Sequence, residues 1–288
     1  MSSTPPCCPP GSWPQSVLQT REELNKDERK FEPAGTVVPL PSAGGAPVTA
    51  YVVKSAGKAP SLLVLQDIYS SRVLHPSSRS GDRLDAVCDA LAKSGNYTVC
   101  MPSLFGDKPF DLAVAKPDDG VFEKFNSFAQ DGGVDWFKKQ SYQDNMLTKV
   151  KAAYDYLEKT NPGQPVAVLG FCFGAWLLSK ASADFDFKCA IGCHPATVLE
   201  TAVFGGDEIA MLKALRQPTL FLWAGNDSTI FVEDGEGKAA LEATGGGVEE
   251  YKDMLHGWVA RGDLGQDTVK RDFEKALASI IRFLGKQL

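Results

Sequence analysis

The sequence predicts an α/β protein: a mainly parallel β-sheet with helices on both faces. Three observations carry this. Short, continuously apolar runs recur between residues 61 and 224, as strands buried on both faces require. Segments with helical spacing of apolar residues separate them. Gly, Pro and Asn punctuate the junctions. Alternation of this kind is the pattern of parallel crossover units.

The elements follow in order. Residues 1–16 are rich in Ser and Pro and form a tail, and the adjacent Cys7 and Cys8 are taken as ordinary tail cysteines rather than a metal, lipid or redox handle. Residues 17–34 are charged, with room for a short helix, and 40–46 is a Pro/Gly/Ser-rich boundary. Residues 1–46 are therefore a tail and linker that can pack on the body, and 47–288 one domain. A soft prior of about 150 residues per domain would allow two, but no linker interrupts the middle of the chain. Residues 47–53 alternate as a strand should, and 61–66 form a buried strand. Leu84, Val87, Cys88 and Leu91 mark a helix over 82–93, stopped by Gly95-Asn96. Residues 97–101 are the next strand. Residues 104–140 are long, irregular and rich in aromatics, including Phe105, Phe110, Phe122, Trp136 and Phe137. They fit a lid over a site, or packing beneath a long excursion. The lid is preferred, because the preceding strand points into the edge where a site would lie.

Met146, Val150, Tyr154 and Leu157 stripe a helix over 141–160, which Asn161-Pro162-Gly163 ends. Strands are expected at 166–170, 188–193 and 219–224, with a helix from 173 to about 183. Residues 248–254 are a weaker edge-strand candidate. The last helix carries Val269, Phe273, Leu277, Ile280 and Leu284 on one stripe.

Composition bounds the function. With 288 residues, 43% of them hydrophobic, the chain can bury a sizeable core. Its net charge is −6 and no basic stretch stands out, which argues against a nucleic-acid or anionic-membrane partner. No apolar run reaches the ~18 residues of a transmembrane helix. Residues 1–14 lack the basic and apolar regions of a secretory signal, and the final Lys286-Gln287-Leu288 is not a peroxisomal address. Seven scattered cysteines do not suggest a disulfide framework. No paired Cys-x-x-Cys with matching histidines suggests zinc, and no cofactor is expected. A cytoplasmic location is expected, and the oligomeric state is left open.

The chemistry concentrates in three segments. Val166-Ala167-Val168-Leu169 runs into Gly170-Phe171-Cys172-Phe173-Gly174 and then a helix-forming segment. That is a nucleophile-elbow pattern with cysteine in place of serine. The glycines permit a sharp, strained turn, and the helix N-terminus beyond it favours a thiolate. An ordinary buried cysteine at a strand end is the plainer alternative. Asp227 follows the apolar run 219–224, and His256 precedes the last helix. Nucleophile, acid and base thus occur in the order expected of an α/β-hydrolase. Asp234, Asp253 and Asp263 are local rivals of Asp227, but none follows a buried strand. The other two histidines are His75, upstream of the elbow, and His194, at a strand end, where it would line a pocket. Asp67, Cys172, His194 and Asp227 all lie just past strand carboxyl ends, where ligands bind in such sheets.

Together these segments resemble the dienelactone hydrolase family, the carboxymethylenebutenolidase-like branch of the α/β-hydrolases, from about residue 45 onward. Family members carry a Gly-x-Cys-x-Gly elbow with Cys, Asp and His in this order. The resemblance implies an α/β-hydrolase fold and a catalytic set of Cys172, Asp227 and His256. It also brings in Leu65-Gln66-Asp67-Ile68-Tyr69, where the residue after the acid donates an oxyanion-hole N–H. That role falls to Ile68, together with the N–H of Phe173. Asp67 itself would contact the cysteine and help activate it when substrate binds. A turn-capping Asp at a strand end is the competing reading of equal weight. Many members have Glu there, and Asp is shorter by one methylene. The chain departs from the family pattern at Ser70, where Gly is common, and at Ser103, where Asp is usual. The arginines that hold a substrate carboxylate have no clear match, with Arg72, Arg79 and Arg83 as nearby candidates.

The implied activity is hydrolysis of a small ester or lactone through a thioester intermediate, although these departures disfavour dienelactone itself. Two alternatives remain: a glycan-active hydrolase of the same family, and a non-catalytic binding protein that retains the fold. Glycan cleavage normally needs a pair of carboxylates, for which only Asp67 and Asp227 are candidates.

Overall fold

A computed structural model describes residues 33–41, 48–68, 80–106 and 133–288. Its centre is an eight-stranded sheet: β1 (Thr36–Leu40), β2 (Val48–Val53), β3 (Ser61–Leu65), β4 (Thr98–Pro102), β5 (Val166–Phe171), β6 (Ala190–Cys193), β7 (Thr219–Ala224) and β8 (Gly247–Tyr251). They lie in the order β1-β2-β4-β3-β5-β6-β7-β8. β2 runs antiparallel to β1 and β4, and all other neighbours are parallel.

The strands that sequence marks as continuously apolar are buried throughout. β3, β4, β5, β6 and β7 are buried at every position. Their side chains alternate between two cores. Leu63, Leu65, Val166 and Val168 enter one core, with Val150 and Leu157 of α3 (Leu147–Thr160) and Trp176 and Leu177 of α4 (Phe173–Ala181). Leu62, Val64, Ala167 and Leu169 enter the other, with Leu84, Val87 and Leu91 of α1 (Ser80–Gly95) and Val269, Ile280 and Leu284 of α9 (Asp267–Gln287). α1, α3 and α9 therefore offer the sheet the stripes their spacing predicts, and α4 is buried almost all round.

Shorter helices complete the described chain: α2 (Gly133–Lys138), α5 (Leu199–Ala202), α6 (Glu208–Lys213), α7 (Glu236–Ala243) and α8 (Trp258–Arg261).

Two features differ from expectation. The sheet begins upstream of residue 47, because Thr36–Leu40 pairs with β2 from Thr36 opposite Val52 to Leu40 opposite Val48. This strand is mostly exposed and contains Pro39, as befits an edge strand that needs no donor on its open side. It therefore carries little apolar signal. The helix expected over 141–160 opens with a π-helical turn at Tyr142–Met146 before α3. The Ser141 carbonyl accepts from the amides of both Asn145 and Met146 there. Most of the 104–140 excursion, including Phe110, Phe122, Phe125 and Phe128, lies outside the described residues, as do Cys7, Cys8 and His75.

The strand order reverses where β3 meets β5, since β4 lies on the far side of β3. Leu65 there faces Gly170. A crevice at the carboxyl ends of strands on either side of such a switch is where ligands bind in open parallel sheets. Asp67 and Ile68 follow one of these strands and Cys172 the other.

Candidate active site

Cys172 sits between β5 and α4 with φ 52° and ψ −111°. A non-glycine residue rarely adopts that region, and holding one there costs about 1–3 kcal/mol. The two flanking glycines are required by contact. A Cβ at Gly170 would collide with the carbonyl of Gly174, and one at Gly174 with the carbonyl of Leu65. The elbow is thus pressed directly onto the end of β3. The backbone of Cys172 is held on both sides: its amide donates to the Cys193 carbonyl at 3.0 Å, and its carbonyl accepts from Ala175 at 3.0 Å and Ala196 at 3.2 Å. Phe173 opens α4, so its amide belongs to the first turn, which helical pairing leaves open. Ile68 is buried just past β3.

Asp227 and His256 come together through two neighbouring loops. Gly225, after β7, donates to the Met254 carbonyl at 2.9 Å, and a Cβ on it would strike the Lys252 carbonyl. Asn226 Oδ1 accepts from the His256 amide at 2.6 Å. Asp227 Oδ2 accepts from the Ala224 amide at 2.9 Å, which fixes the carboxylate. Its other oxygen, Oδ1, then lies 2.6 Å from His256 Nδ1, with both side chains fully buried. A carboxylate at that nitrogen selects the tautomer with the proton on Nδ1 and leaves Nε2 as the basic atom. None of the rival aspartates makes this contact.

His194 and Asp67 take their places around this pair. His194 is fully buried, with its ring centroid 5.0 Å from that of His256 and 5.5 Å from that of Trp258. Asp67 is buried and forms an ion pair with Arg261 at the end of α8. Sequence reasoning missed Arg261, Asn226 and Trp258. Arg261 stands only five residues after His256, but a lone arginine in a short helix carries no signal until its partner is known. Arg83 donates to the Gly262 carbonyl at 2.8 Å and lies over the Phe273 ring. Arg72 and Arg79 fall outside the described side chains. Among the described residues no three His, Cys, Asp or Glu side chains are grouped to hold a metal ion, and no helix is long and apolar enough to cross a membrane.

The model of the dienelactone hydrolase family matches residues 48–288. The chain belongs to the dienelactone hydrolase family. Its relatives include an uncharacterized AIM2 family protein of Schizosaccharomyces pombe, 25% identical, over 82% of this chain and 86% of the relative. The human carboxymethylenebutenolidase homolog is 25% identical over 65% of this chain and 64% of its own length, so the match spans just under two thirds of that relative. Solved structures of the same fold include carboxyl esterase 2 of Tuber melanosporum, with TM-score 0.57, 13% identity and coverage of 91% of this chain and 89% of that one. Est1E of Butyrivibrio proteoclasticus gives TM-score 0.55 at 13% identity, over 87% and 98% of the two chains. Acylaminoacyl peptidase of Pyrococcus horikoshii gives 0.57 at 14%, over 94% of this chain and 44% of that one. At these identities the structural likeness concerns the α/β-hydrolase fold alone. Family membership supports a hydrolase of the ester or lactone type.

Proposed function

We propose that the protein hydrolyses small carboxylic esters or lactones, with Cys172 as nucleophile, His256 as base and Asp227 as its orienting acid. The observation that carries this reading is the 2.6 Å contact of His256 Nδ1 with Asp227, on loops beyond the same sheet end as the strained Cys172 elbow.

An ordinary thiol pKa near 8.5 leaves only a few per cent ionised at neutral pH. His256 Nε2 takes the proton from Cys172, and Asp227 stabilises the imidazolium that results. The sulfur adds to the carbonyl carbon, and the oxyanion is received by the amides of Phe173 and Ile68. A donor of this kind is typically worth about 2.7–4 kcal/mol of barrier. His256 returns the proton to the departing alkoxide, which leaves a thioester on Cys172. Water, deprotonated by His256, then attacks that thioester. Sulfur leaves and the acid is released. Asp67 is tied to Arg261 by an ion pair, and in this reading that pair steadies the segment after β3 that carries Ile68.

Both carboxylates that glycan cleavage would call upon are already engaged, Asp67 by Arg261 and Asp227 by His256. No observation favours that reading. A free nucleophilic thiol calls for a reducing compartment, and the cytoplasm is the proposed location. The five cysteines among the described residues are all free thiols.

The test is turnover of a panel of activated esters, lactones and thioesters by the wild type and Cys172→Ala. The account expects the variant to fold normally and lose at least about a thousand-fold in kcat. A folded Cys172→Ala with wild-type turnover would overturn it.

A further inference from the structure

We infer that His194 is a positioning residue for His256: a neutral aromatic prop that keeps the His256 ring turned toward Asp227. The inference rests on the reading of His256 as the base and adds a residue to it.

Four observations point to His194. It adopts φ 40°, a left-handed backbone conformation uncommon for a residue other than glycine. That strain sits at the carboxyl end of β6, directly beside the elbow. Second, the segment around it grips the nucleophile: Cys193 accepts from the Cys172 amide and Ala196 donates to the Cys172 carbonyl, so His194 lies between the two clamps. Its own amide donates to the Leu222 carbonyl at 2.8 Å, which ties it to β7, the strand that leads to Asp227. Third, its ring meets three aromatic rings in a fully buried setting. The His256 ring lies 5.0 Å away at 67°, Trp258 5.5 Å away at 67°, and Phe171 6.0 Å away at 41°. These are edge-to-face and tilted geometries that attract aromatic pairs. Fourth, the contacts come from three different parts of the site: Phe171 precedes the nucleophile, His256 is the base and Trp258 opens α8.

The chemistry explains what such a neighbour does. An imidazole can turn about the bond that joins it to its Cβ, and this torsion is broad and roughly two-fold. A ring packed edge-to-face against it removes that freedom, leaving Nδ1 fixed on Asp227 and Nε2 facing the other way. Proton transfer also turns His256 into a cation. Titratable groups around this spot include His256 with its partner Asp227, Cys193 of β6 next to His194, Cys172, whose amide pairs with Cys193, and Tyr251, which packs on Trp258. A second positive charge at 5.0 Å, in a fully buried setting, would oppose the cation the reaction must form. His194 therefore works as the neutral ring. A phenyl ring can do the same job, and a small side chain cannot.

The experiment measures kcat, KM and the pH dependence of kcat/KM in the wild type, His194→Ala and His194→Phe. The rate at which iodoacetamide alkylates Cys172 is followed by peptide mass spectrometry in the same three proteins. For His194→Ala we expect a loss of about 10- to 100-fold in kcat and in the alkylation rate, the scale on which small misplacements act. KM should change little and the acid limb of the profile should move. His194→Phe should recover most of both rates. Circular dichroism checks that each variant is folded. Wild-type rates in folded His194→Ala would overturn the inference, and so would a folded His194→Phe as impaired as His194→Ala, because the role would then need a polar atom. Ring NMR of the wild type gives a reading that no variant can obscure: His194 should stay neutral throughout the active pH range, and a proton gained within that range contradicts the proposal. Wild-type Cys172 that reacts no faster than the other described cysteines would instead refute the nucleophile reading. Preferential alkylation of Cys172 that is unchanged in His194→Ala would leave that reading standing and sink this one.

Discussion

At the residue scale the site turns on one short contact. Asp227 is held by a backbone amide through Oδ2 and presents Oδ1 to His256 Nδ1. Replacing the carboxylate with an amide keeps the shape but allows the wrong tautomer. Asp227→Asn should lower kcat by about 10²- to 10⁴-fold, by analogy with such changes in other triads, with thermal stability nearly retained. Steady-state kinetics alongside a melting curve checks this, and undiminished kcat would remove Asp227 from the mechanism. Cys172, Asp227 and His256 stood out in the sequence as candidates because each sits beside a pattern: a glycine-flanked turn, a buried strand, and a chain order shared by one fold; the structure adds the Asp227–His256 contact. Asn226 and Arg261 did not stand out, because their partners, the His256 amide and Asp67, are distant along the chain or belong to the backbone. Asp67 was read as either activator or turn cap, and its ion pair with Arg261 is a third relation that spacing alone does not disclose.

At the element scale the elbow works because β3, β5 and α4 approach more closely than side chains would permit. Gly174→Ala would drive a methyl group into the Leu65 carbonyl. Overpacking of this kind costs typically about 1–3 kcal/mol, and here the strand that yields leads into Ile68. We expect a fall in Tm of about 2–4 °C per kcal/mol in a chain of this size, with kcat reduced as well. Differential scanning calorimetry and the ester assay check the two halves, and an unchanged Tm would show that the contact can relax freely. The buried strands and the stripes of α1, α3 and α9 were predictable because continuous apolar runs and helical spacing follow directly from burial. β1 was not, since an exposed edge strand containing Pro39 has neither signature.

At the scale of the whole molecule, buried thiols among the described residues shape the response to alkali, four of them besides Cys172. Burial raises the pKa of Cys88, Cys100 and Cys193 strongly and pushes Cys189 up to about 12. Below the ordinary thiol value of about 8.5 the folded and unfolded chains hold these protons alike. Above it the unfolded chain releases protons that the folded chain keeps, so stability falls as pH rises toward the folded values. Lys149 acts in the opposite sense. Burial lowers its pKa to about 8, so between that pH and its unfolded value the unfolded chain binds the extra proton and stability rises. Among the described residues this one amine opposes the four thiols, and above about pH 10 the buried tyrosines Tyr51, Tyr142 and Tyr251, whose pKa values burial also raises, act on the side of the thiols. Melting temperature should therefore drop progressively above about pH 9, and Cys100→Ala should reduce the steepness of that drop. A flat profile from pH 8 to about 10.5 would mean that the thiols are not shielded as their burial implies. The sheet order that gathers Asp67, Cys172, His194, Asp227 and His256 at one end also makes the central chemical claim testable in a single reaction. Rapid-quench peptide mass spectrometry with p-nitrophenyl acetate should find one acetyl group on the peptide bearing Cys172, labile to hydroxylamine and absent from Cys172→Ala. Acetylation at another residue, or ester turnover with Cys172 never modified, would contradict the account.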